Sequence, residues 1–434
     1  MRILVISAYY PPNHFGGYEI RNRDIVDALY RRGHQISVVT SRRTTRAVSS
    51  CQTSPYEVFR VLHAKGGTRG VIVRLTTWRR TRSIGMLLNF VRVLLSDLAD
   101  LAFLDHRLKR FGPDVVYLGH IMPLTAPLMP FLAARRASIV FDEGGAGQSD
   151  SREDRRIWYK FVEEYVSRFV VINALKPLFV KLVCSASAHR LQPRFAWPEG
   201  MHVLFNGRLN QRNARAAGVP LNGAKMIRSG VDTTRFAFRP RQALRRPIRI
   251  IVPGRFEEKK GHLDTVRLVE RLVEAGIDAM AKIVGDPWSG AYLSVVEREM
   301  NDRNLADRIS ILPMLPQEKL VAYYHEADIC FFPSYHRTGF SRVPFEAMAS
   351  GCIVISYGNE GSDEAIRHGH NGFIVKPKDF SEAAKIIADL AAEPDLVHRI
   401  TDTARREIEE NHSMQRYVDQ IEAVLIEANR GQRQ

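Results

Sequence analysis

The stretch GRFEEKKG at residues 254–261 carries two cations, Arg255 and Lys260, five residues apart between two glycines. It follows an apolar run typical of a buried strand and precedes a helical pattern. Cations beside a helix N-terminus are suited to binding a diphosphate, because the first-turn N–H groups also favour an anion. They could neutralise a departing diphosphate without a metal ion. The alternative is two solvated loop cations, which is the usual fate of Lys and Arg.

A second stretch, RTGFSRVPFEAMASG at residues 337–351, carries one carboxylate, Glu346, near the start of a short helical pattern. Ser341 can cap this helix. If Phe345 and Met348 pack inward, Glu346 faces the mouth of a ligand cleft. A carboxylate there can accept hydrogen bonds from the two hydroxyls of a ribose. Stabilisation of the helix dipole is the alternative role.

Both stretches require a parallel sheet to position them, and apolar runs alternate with helical patterns in two series along the chain. The sequence therefore predicts an α/β protein of two Rossmann-like domains, with parallel sheets that face each other across a ligand cleft. Strands are predicted at 3–7, 36–40, 114–118, 138–142 and 169–173 in the first series, and at 248–252, 281–285, 309–313, 329–333 and 353–357 in the second.

The predicted domain boundary is a Pro- and Arg-containing segment at residues 235–247. Residues 1–240 would form the N-terminal domain, and residues 246–411 the C-terminal domain that carries both stretches. We expect the amphipathic C-terminal helix, within residues 413–434, to pack back on the first domain.

The chain of 434 residues carries a net charge of +16, which is distributed unevenly. Residues 1–240 have a balance of +20 and the remainder a balance of −4. A one-sided basic field indicates an anionic partner. No apolar stretch is long enough to span a membrane, and MRILVISAYYPP is better explained as a first strand than as a signal peptide. Four scattered cysteines lack the spacing of a metal site.

Taken together, these segments resemble the family 4 glycosyltransferases, retaining enzymes of the GT-B fold. The resemblance covers nearly the whole chain, and its specificity comes from the order of many short motifs. These are PPNHFGGYE (11–19), GHQISVVT (33–40), PDVVYL (113–118), RSGVDTTRF (228–236), GRFEEKKG (254–261), IVGD (283–286), EADICFFPS (326–334), GFSRVPFEAMASG (339–351) and HGHNGFIVKP (368–377).

The resemblance implies that residues 1–240 form the acceptor-binding domain and residues 246–411 the nucleotide-sugar donor-binding domain. It also implies roles for individual residues. Arg255 and Lys260 match the family's diphosphate-binding pair, and Glu346 matches the second acid of its E-x7-E motif, which holds the donor ribose. The full set of donor-binding residues implied in this way is Gly16, Gly17, Arg255, Lys260, Thr338, Gly339, Phe340, Glu346, Gly361 and Glu364.

The chain departs from the family at Thr338, where the first acid of the E-x7-E motif is expected. A threonine can still hydrogen-bond a sugar hydroxyl, but more weakly than a carboxylate. Three interpretations remain open: a different donor sugar, a substitute acid from Asp363 or Glu364, or a degenerate enzyme. The presence of Arg255, Lys260 and Glu346 favours the first two.

Candidate catalytic groups in the N-terminal half are less specific. Many relatives carry a histidine after the strand that ends at residue 118, and His120 lies within one residue of that place. A structural role for His120 is the alternative, and His14, beside the Gly-Gly turn, is a weaker candidate. Asp142 and Glu143 could contact an acceptor or cap a loop. No residue has the signature of a covalent nucleophile.

Residues 69–82 contain five arginines and a tryptophan, followed by a long apolar helical pattern. The arginines are a candidate for docking on an anionic membrane surface. The helix itself is better explained as a core helix of the first domain.

The sequence therefore predicts a cytoplasmic glycosyltransferase that needs no metal or other cofactor, with the inner membrane face as a candidate place of peripheral attachment. It would move a hexosyl group from a nucleoside-diphosphate sugar to a saccharide or polyprenyl-phosphate-linked acceptor, with retention of configuration. A nucleotide-sugar epimerase of similar fold and a catalytically inactive or nucleic-acid-binding relative are the alternatives. We expect no nucleic-acid partner, because aromatic and basic residues are not interleaved as such binding requires.

Overall fold

The computed structural model describes residues 1–13, 17–42, 54–64, 82–121, 124, 127–143, 178, 181–182, 184–192, 196–286, 290–337 and 339–431. The chain divides into two compact units, one of residues 1–227 with 420–434 and one of residues 228–419. Each unit contains a parallel sheet with helices, as the alternating apolar pattern predicts.

The first unit is built on a sheet with the strand order β3-β2-β1-β4-β5-β6-β7. Register follows the apolar runs, so that Ile3 pairs with Ile36 on one side and with Val115 on the other. Its described elements are β1 (Arg2–Ile6), α1 (Gly17–Arg31), β2 (Gln35–Ser41), β3 (Glu57–Leu62), α2 (Arg82–Phe111), β4 (Val115–Leu118), α3 (Leu128–Ala134), β5 (Ile139–Glu143), β6 (His202–Phe205), α4 (Arg208–Ala216) and β7 (Lys225–Met226).

The second unit is built on a sheet with the strand order β10-β9-β8-β11-β12-β13. Ile250 of the central strand pairs with Ala281 and Ile329 on its two sides. Its elements are β8 (Ile248–Pro253), α5 (His262–Glu274), β9 (Ala279–Val284), α6 (Gly290–Asp302), β10 (Ile309–Leu312), α7 (Gln317–Glu326), β11 (Ile329–Phe332), α8 (Val343–Ser350), β12 (Ile353–Ser356), β13 (Phe373–Ile374), α9 (Phe380–Ala392), α10 (Pro394–Asn411) and α11 (Met414–Gly431), the last of which continues into the first unit.

The segment predicted as an interdomain linker, residues 235–247, packs inside the second unit instead. Phe236 is fully buried in its core. The guanidinium of Arg241 donates to the carbonyl oxygens of Gly351 at 2.5 Å and Tyr324 at 3.0 Å. It also pairs with the buried carboxylate of Asp328 at 3.2 Å. The division of the chain therefore falls at 227/228, because burial and pairing override the linker-like composition.

The C-terminal helix α11 joins the first unit from Gln420 on. Glu422 accepts from His34 at 2.7 Å and also pairs with Arg32, while Ser138 donates to the carbonyl oxygen of Ala428 at 2.7 Å. From Gln420 on the helix lies with the first unit, whereas its assignment to an acceptor-binding domain stays a prediction. Its first six residues, 414–419, belong to the second unit, where Tyr417 is buried.

Helix α2 occupies the place predicted for a core helix, and Leu101 and Leu104 of its second half lie in the core of the first unit. The arginine-rich stretch that precedes it, residues 69–81, lies outside the described residues, as do the predicted strand at 169–173 and His14. Within the described part of the chain, no helix combines the length and apolarity needed to cross a bilayer.

Candidate active site

The predicted site residues of the second unit lie at the point where the strand order of its sheet reverses direction. From β8 the chain proceeds to β9 on one side, whereas β11 lies on the other side. In open parallel sheets, ligands bind at the carboxyl ends of the strands at such a point. The loops that follow β8 and β11 carry residues 254–261 and 333–342, which are the two stretches singled out by their chemistry.

The cations of the loop after β8 are paired with carboxylates of the chain. Arg255 lies 3.0 Å from Glu257, which also pairs with Lys259 at 2.9 Å. Burial alone would raise the pKa of Glu257, but these positive charges outweigh it and lower that pKa. The Nζ atom of Lys260 lies 2.5 Å from Oε1 of Glu360. The loop therefore brings Arg255 and Lys260 together at one end of the sheet, where they could also contact an anionic ligand.

Two glycines fix the path of this loop. Gly261 has φ of +72°, and a Cβ atom there would lie 2.2 Å from the carbonyl oxygen of Pro333. At Gly285, after β9, a Cβ atom would lie 1.8 Å from the carbonyl oxygen of Gly254. Only glycine fits at these two positions, because the backbone of a neighbouring segment occupies the space of a side chain.

Glu346 is buried rather than facing the mouth of a cleft. Its residue exposure is 4%, while Phe345 and Met348 pack inward as expected. Its carboxylate contacts Arg342 at 3.2 Å and accepts from Gln317 at 3.1 Å. The expectation that Glu346 is exposed was wrong, because helix α7, which supplies Gln317, covers the face of α8 that carries Glu346. Contact with a ribose would have to be made within this polar cluster.

The start of helix α8 also differs from the prediction. The capping position is held by Arg342 without a side-chain cap, whereas Ser341 accepts from the N–H of Val343 at 3.4 Å. Ser341 therefore forms a local turn before the helix. Glu346 still lies in the first turn, where a carboxylate stabilises the helix dipole.

The other donor-site residues predicted near α8 are in contact with one another. Phe340 stacks on Phe345 with ring centroids 4.5 Å apart. A Cβ atom on Gly361 would lie 2.4 Å from the ring of Phe340, so the glycine permits this close approach. Gly339 has φ of +98°, which also favours glycine. Thr338 lies outside the described residues.

Glu364, one of the two acids considered as a substitute for the missing motif acid, pairs with Arg228 at 3.1 Å. Its side chain is 9% exposed. No sequence pattern indicated Glu360 or Ser334, yet Glu360 pairs with Lys260 and Ser334 donates a hydrogen bond to Glu360. In the sequence, Glu360 is marked only as an acid next to a glycine in EGSDEAI (360–366). That pattern does not predict a partner 100 residues away.

In the first unit, the candidate histidine also lies where the strand order reverses, between β1 and β4. His120 follows β4, and its Nδ1 atom lies 3.1 Å from Oε1 of the buried Glu19. Tyr9 and Tyr18 flank its ring, each with centroids 5.7 Å away. Glu19 therefore fixes the orientation of the ring, which leaves Nε2 as the nitrogen for other contacts. Sequence reasoning missed this role for Glu19.

Gly17 is the first residue of α1, and a Cβ atom there would contact nothing within 4 Å. Gly16 lies outside the described residues. Asp142 and Glu143 belong to strand β5, not to the loop after it, and both are buried. Asp142 pairs with Arg21 at 2.7 Å. The predictions that Asp142 contacts an acceptor or caps a loop were therefore wrong, because its carboxylate is buried and already paired within the unit.

Among the described residues, no group of three or more His, Cys, Asp or Glu side chains is arranged to hold a metal ion. The expectation that the reaction needs no metal stays a prediction.

Two buried histidines of the second unit should make its stability depend on pH. His262 stacks on Phe256 beside the loop that follows β8. Burial, assisted by the positive charge of Lys260, lowers the pKa of His262 to about 4. Burial, assisted by Arg228 and Arg416, likewise lowers the pKa of His412 to about 4. An imidazole in the unfolded chain has a pKa of about 6.5, so the unfolded state binds more protons between these values.

The stability present above pH 6.5 is therefore expected to fall as the pH decreases toward 4, by roughly 3 kcal/mol for each imidazole. Urea unfolding at pH 7, 5.5 and 4.5 measures this slope. His412→Gln should make it shallower. A slope in His412→Gln equal to that of the wild type would contradict the assignment.

Comparison with known proteins decides the fold. The structure is similar over 98% of this chain to a crystal structure from Rickettsia africae described as a glycosyltransferase, with a TM-score of 0.68, 16% identity and 98% of that chain covered. It is similar to HepE of Anabaena in complex with UDP, with a TM-score of 0.64, 16% identity, and 98% and 100% of the two chains covered. The fold is GT-B. The predicted fold class is thereby confirmed.

Residues 234–407, which lie in the second unit of this GT-B chain, match the family model described as glycosyl transferases group 1. Glycogen synthase of Mycobacterium tuberculosis is 25% identical over 232 residues, 54% of this chain and 55% of that protein. The amylovoran biosynthesis glycosyltransferase AmsK of Erwinia amylovora is 30% identical over 196 residues, 44% of this chain and 47% of that protein. The chain spans about half the length of the curated relatives it matches.

Proposed function

We propose that the protein is a glycosyltransferase that moves a hexosyl group from a nucleoside-diphosphate sugar to a saccharide or lipid-linked acceptor, with retention of configuration and without a metal ion. The observation that carries this proposal is the placement of Arg255 and Lys260 at the carboxyl end of β8, beside the N-terminus of α5. The matched family model covers this loop. The complex of HepE with UDP is consistent with a nucleotide ligand in this fold.

In this proposal, Arg255 and Lys260 neutralise the charge that develops on the leaving nucleoside diphosphate. Positioned cations are effective in such a role because they need not reorganise during the reaction. The ribose would bind near Glu346, within the polar cluster formed with Gln317. His120, oriented by Glu19, is the candidate N-terminal group for the sugar or the acceptor.

The acceptor is proposed from charge. The balance of +20 in residues 1–240 favours an anionic acceptor, such as a polyprenyl-phosphate-linked saccharide, or an anionic membrane surface on which it is presented. A cytoplasmic location, peripheral on the inner membrane face, follows from such an acceptor.

Thermal unfolding with UDP, GDP, ADP and CMP tests the donor site. A ligand at about 100 times its dissociation constant adds about 2.7 kcal/mol to the free energy of unfolding. We expect stabilisation by one nucleoside diphosphate, and release of that diphosphate when the matching sugar nucleotide is supplied with an acceptor. No stabilisation by any of the four would refute the donor site. Stabilisation without transfer to any anionic glycolipid would favour an inactive relative.

A further inference from the structure

The loop that follows β12 brings a carboxylate of this chain onto the lysine proposed to bind the diphosphate. Lys260 Nζ donates to Glu360 Oε1 at 2.5 Å, and the hydroxyl of Ser334 donates to the same oxygen. The side chains of Lys260 and Glu360 are 14% and 9% exposed, so water screens the pair only weakly. Glu360 thus lies where it can compete with any anion that approaches Lys260.

The backbone holds Glu360 in a conformation that most residues avoid. Its φ is +52°, and Gly358 and Gly361 on either side also have positive φ. The carbonyl oxygen of Glu360 accepts from Ser341 at 2.9 Å, and Asn359 donates to the carbonyl oxygen of Ser334 at 2.7 Å. A left-handed conformation costs a non-glycine residue free energy, and such costs concentrate at functional sites. A glycine would fit this turn without that cost, but it would not supply the carboxylate.

The distribution of charges in the loop after β8 allows Glu360 to influence the binding of an anion to Lys260. Arg255 and Lys259 both pair with Glu257, whereas Lys260 pairs with Glu360. A lysine ammonium has three N–H donors and can contact two anions at once. A diphosphate that reached Lys260 would nevertheless lie close to the carboxylate, and the two negative charges would repel each other in this partly buried place.

We propose, on the basis of the proposed function, that Glu360 is an internal competitor for Lys260 that limits the affinity of the site for the diphosphate of donor and product. The carboxylate of Glu360 binds Lys260 when the diphosphate leaves and is displaced when it enters. The exchange weakens the hold on the nucleoside-diphosphate product and so favours its release.

Calorimetric titration of the full-length protein and its Glu360→Gln variant tests this competition. The probes are UDP, GDP and ADP, the matching monophosphates and the matching nucleosides, at one fixed ionic strength. Glutamine keeps the shape of the side chain and removes its charge. We expect about a tenfold gain in affinity for the nucleoside diphosphate that binds, a smaller gain for its monophosphate and none for the nucleoside.

The matched control is Glu258→Gln, which removes the same charge from an exposed residue of the loop after β8. It should change affinity by less than about twofold, because exposed charges are screened. An equal gain in both variants, or no gain in Glu360→Gln, would overturn the competition. A loss of affinity would also overturn it, since Glu360 would then hold Lys260 in position for the ligand.

Inorganic pyrophosphate separates failure of this inference from failure of the proposed function. If no nucleotide binds but Glu360→Gln binds pyrophosphate more tightly than the wild type, the nucleotide site is wrong and the competition stands. If pyrophosphate affinity is also unchanged, both fail. Should Glu360→Gln not fold, Ser334→Ala removes one donor to the same carboxylate oxygen. That variant should give a smaller gain for the diphosphate, and no gain would overturn the inference.

Discussion

Lys260→Ala is expected to weaken binding of the nucleoside diphosphate by about 100-fold, because a charge-assisted hydrogen bond to a phosphate contributes about 1.5–3 kcal/mol. The variant also removes the cation that lies 2.5 Å from the carboxylate of Glu360. That uncompensated carboxylate would repel the ligand and enlarge the loss. Calorimetric titration with the nucleoside diphosphate that stabilises the wild type measures the effect.

Lys259→Ala is the matched control for this prediction. Lys259 precedes Lys260 in the chain, carries the same charge and is 44% exposed, with Glu257 as its partner. Its removal should cost about twofold in affinity, as expected for a screened surface charge. An equal loss in the two variants would mean that only the overall charge of the loop matters. Lys260→Ala combined with Glu360→Gln should recover part of the affinity lost in Lys260→Ala alone.

Gly285→Ala should reduce the free energy of unfolding by about 3 kcal/mol or more, because the added methyl group meets backbone that cannot move independently. It would lie 1.8 Å from the carbonyl oxygen of Gly254 and 2.8 Å from its carbonyl carbon. The N–H of Gly254 donates to Val284 at 2.9 Å, so relief of the clash would separate β8 from β9. The loop that carries Arg255 and Lys260 begins at Gly254, so nucleotide binding should be lost together with stability.

Urea unfolding of Gly285→Ala and Gly290→Ala checks this prediction. Gly290 lies at the start of α6, and a Cβ atom there contacts nothing within 4 Å. Alanine at that position should be neutral or slightly stabilising, since it restricts the unfolded chain. If Gly285→Ala unfolds with the stability of the wild type, the close approach of the two backbones is wrong.

The sequence determined the elements of each sheet where the apolar signal is continuous. Runs such as IRIIV and ICFFP mark β8 and β11, because strands buried on both faces are apolar at nearly every position. Arg249 is the exposed exception in β8. Strands β3, β6, β7 and β13 were not predicted. Strand β3 has six residues but is only partly buried along most of its length, so it lacks a continuous apolar run. Strand β6 has four residues. Strands β7 and β13 span only two residues each, which is too short for any periodicity to appear.

The sequence also determined the local chemistry of the site. Arg255 and Lys260 lie within one loop, and the positions of the strand and the helix that flank it follow from local patterns. Chain neighbours need no knowledge of the tertiary structure to be placed together. For the same reason, Phe345 and Met348 could be assigned to the buried face of α8 from helical spacing alone.

Only the tertiary structure decided which charges meet. Glu360 reaches Lys260 across 100 residues, and Glu346 is covered by Gln317 of a different helix. Residues 235–247 have the composition of a linker, yet Arg241 is buried against Asp328. Such pairs depend on how sheet and helices pack, and the type of a residue does not name its partner. The sequence thus specifies which groups are available for chemistry, whereas packing decides which of them are neutralised, buried or left to bind a ligand.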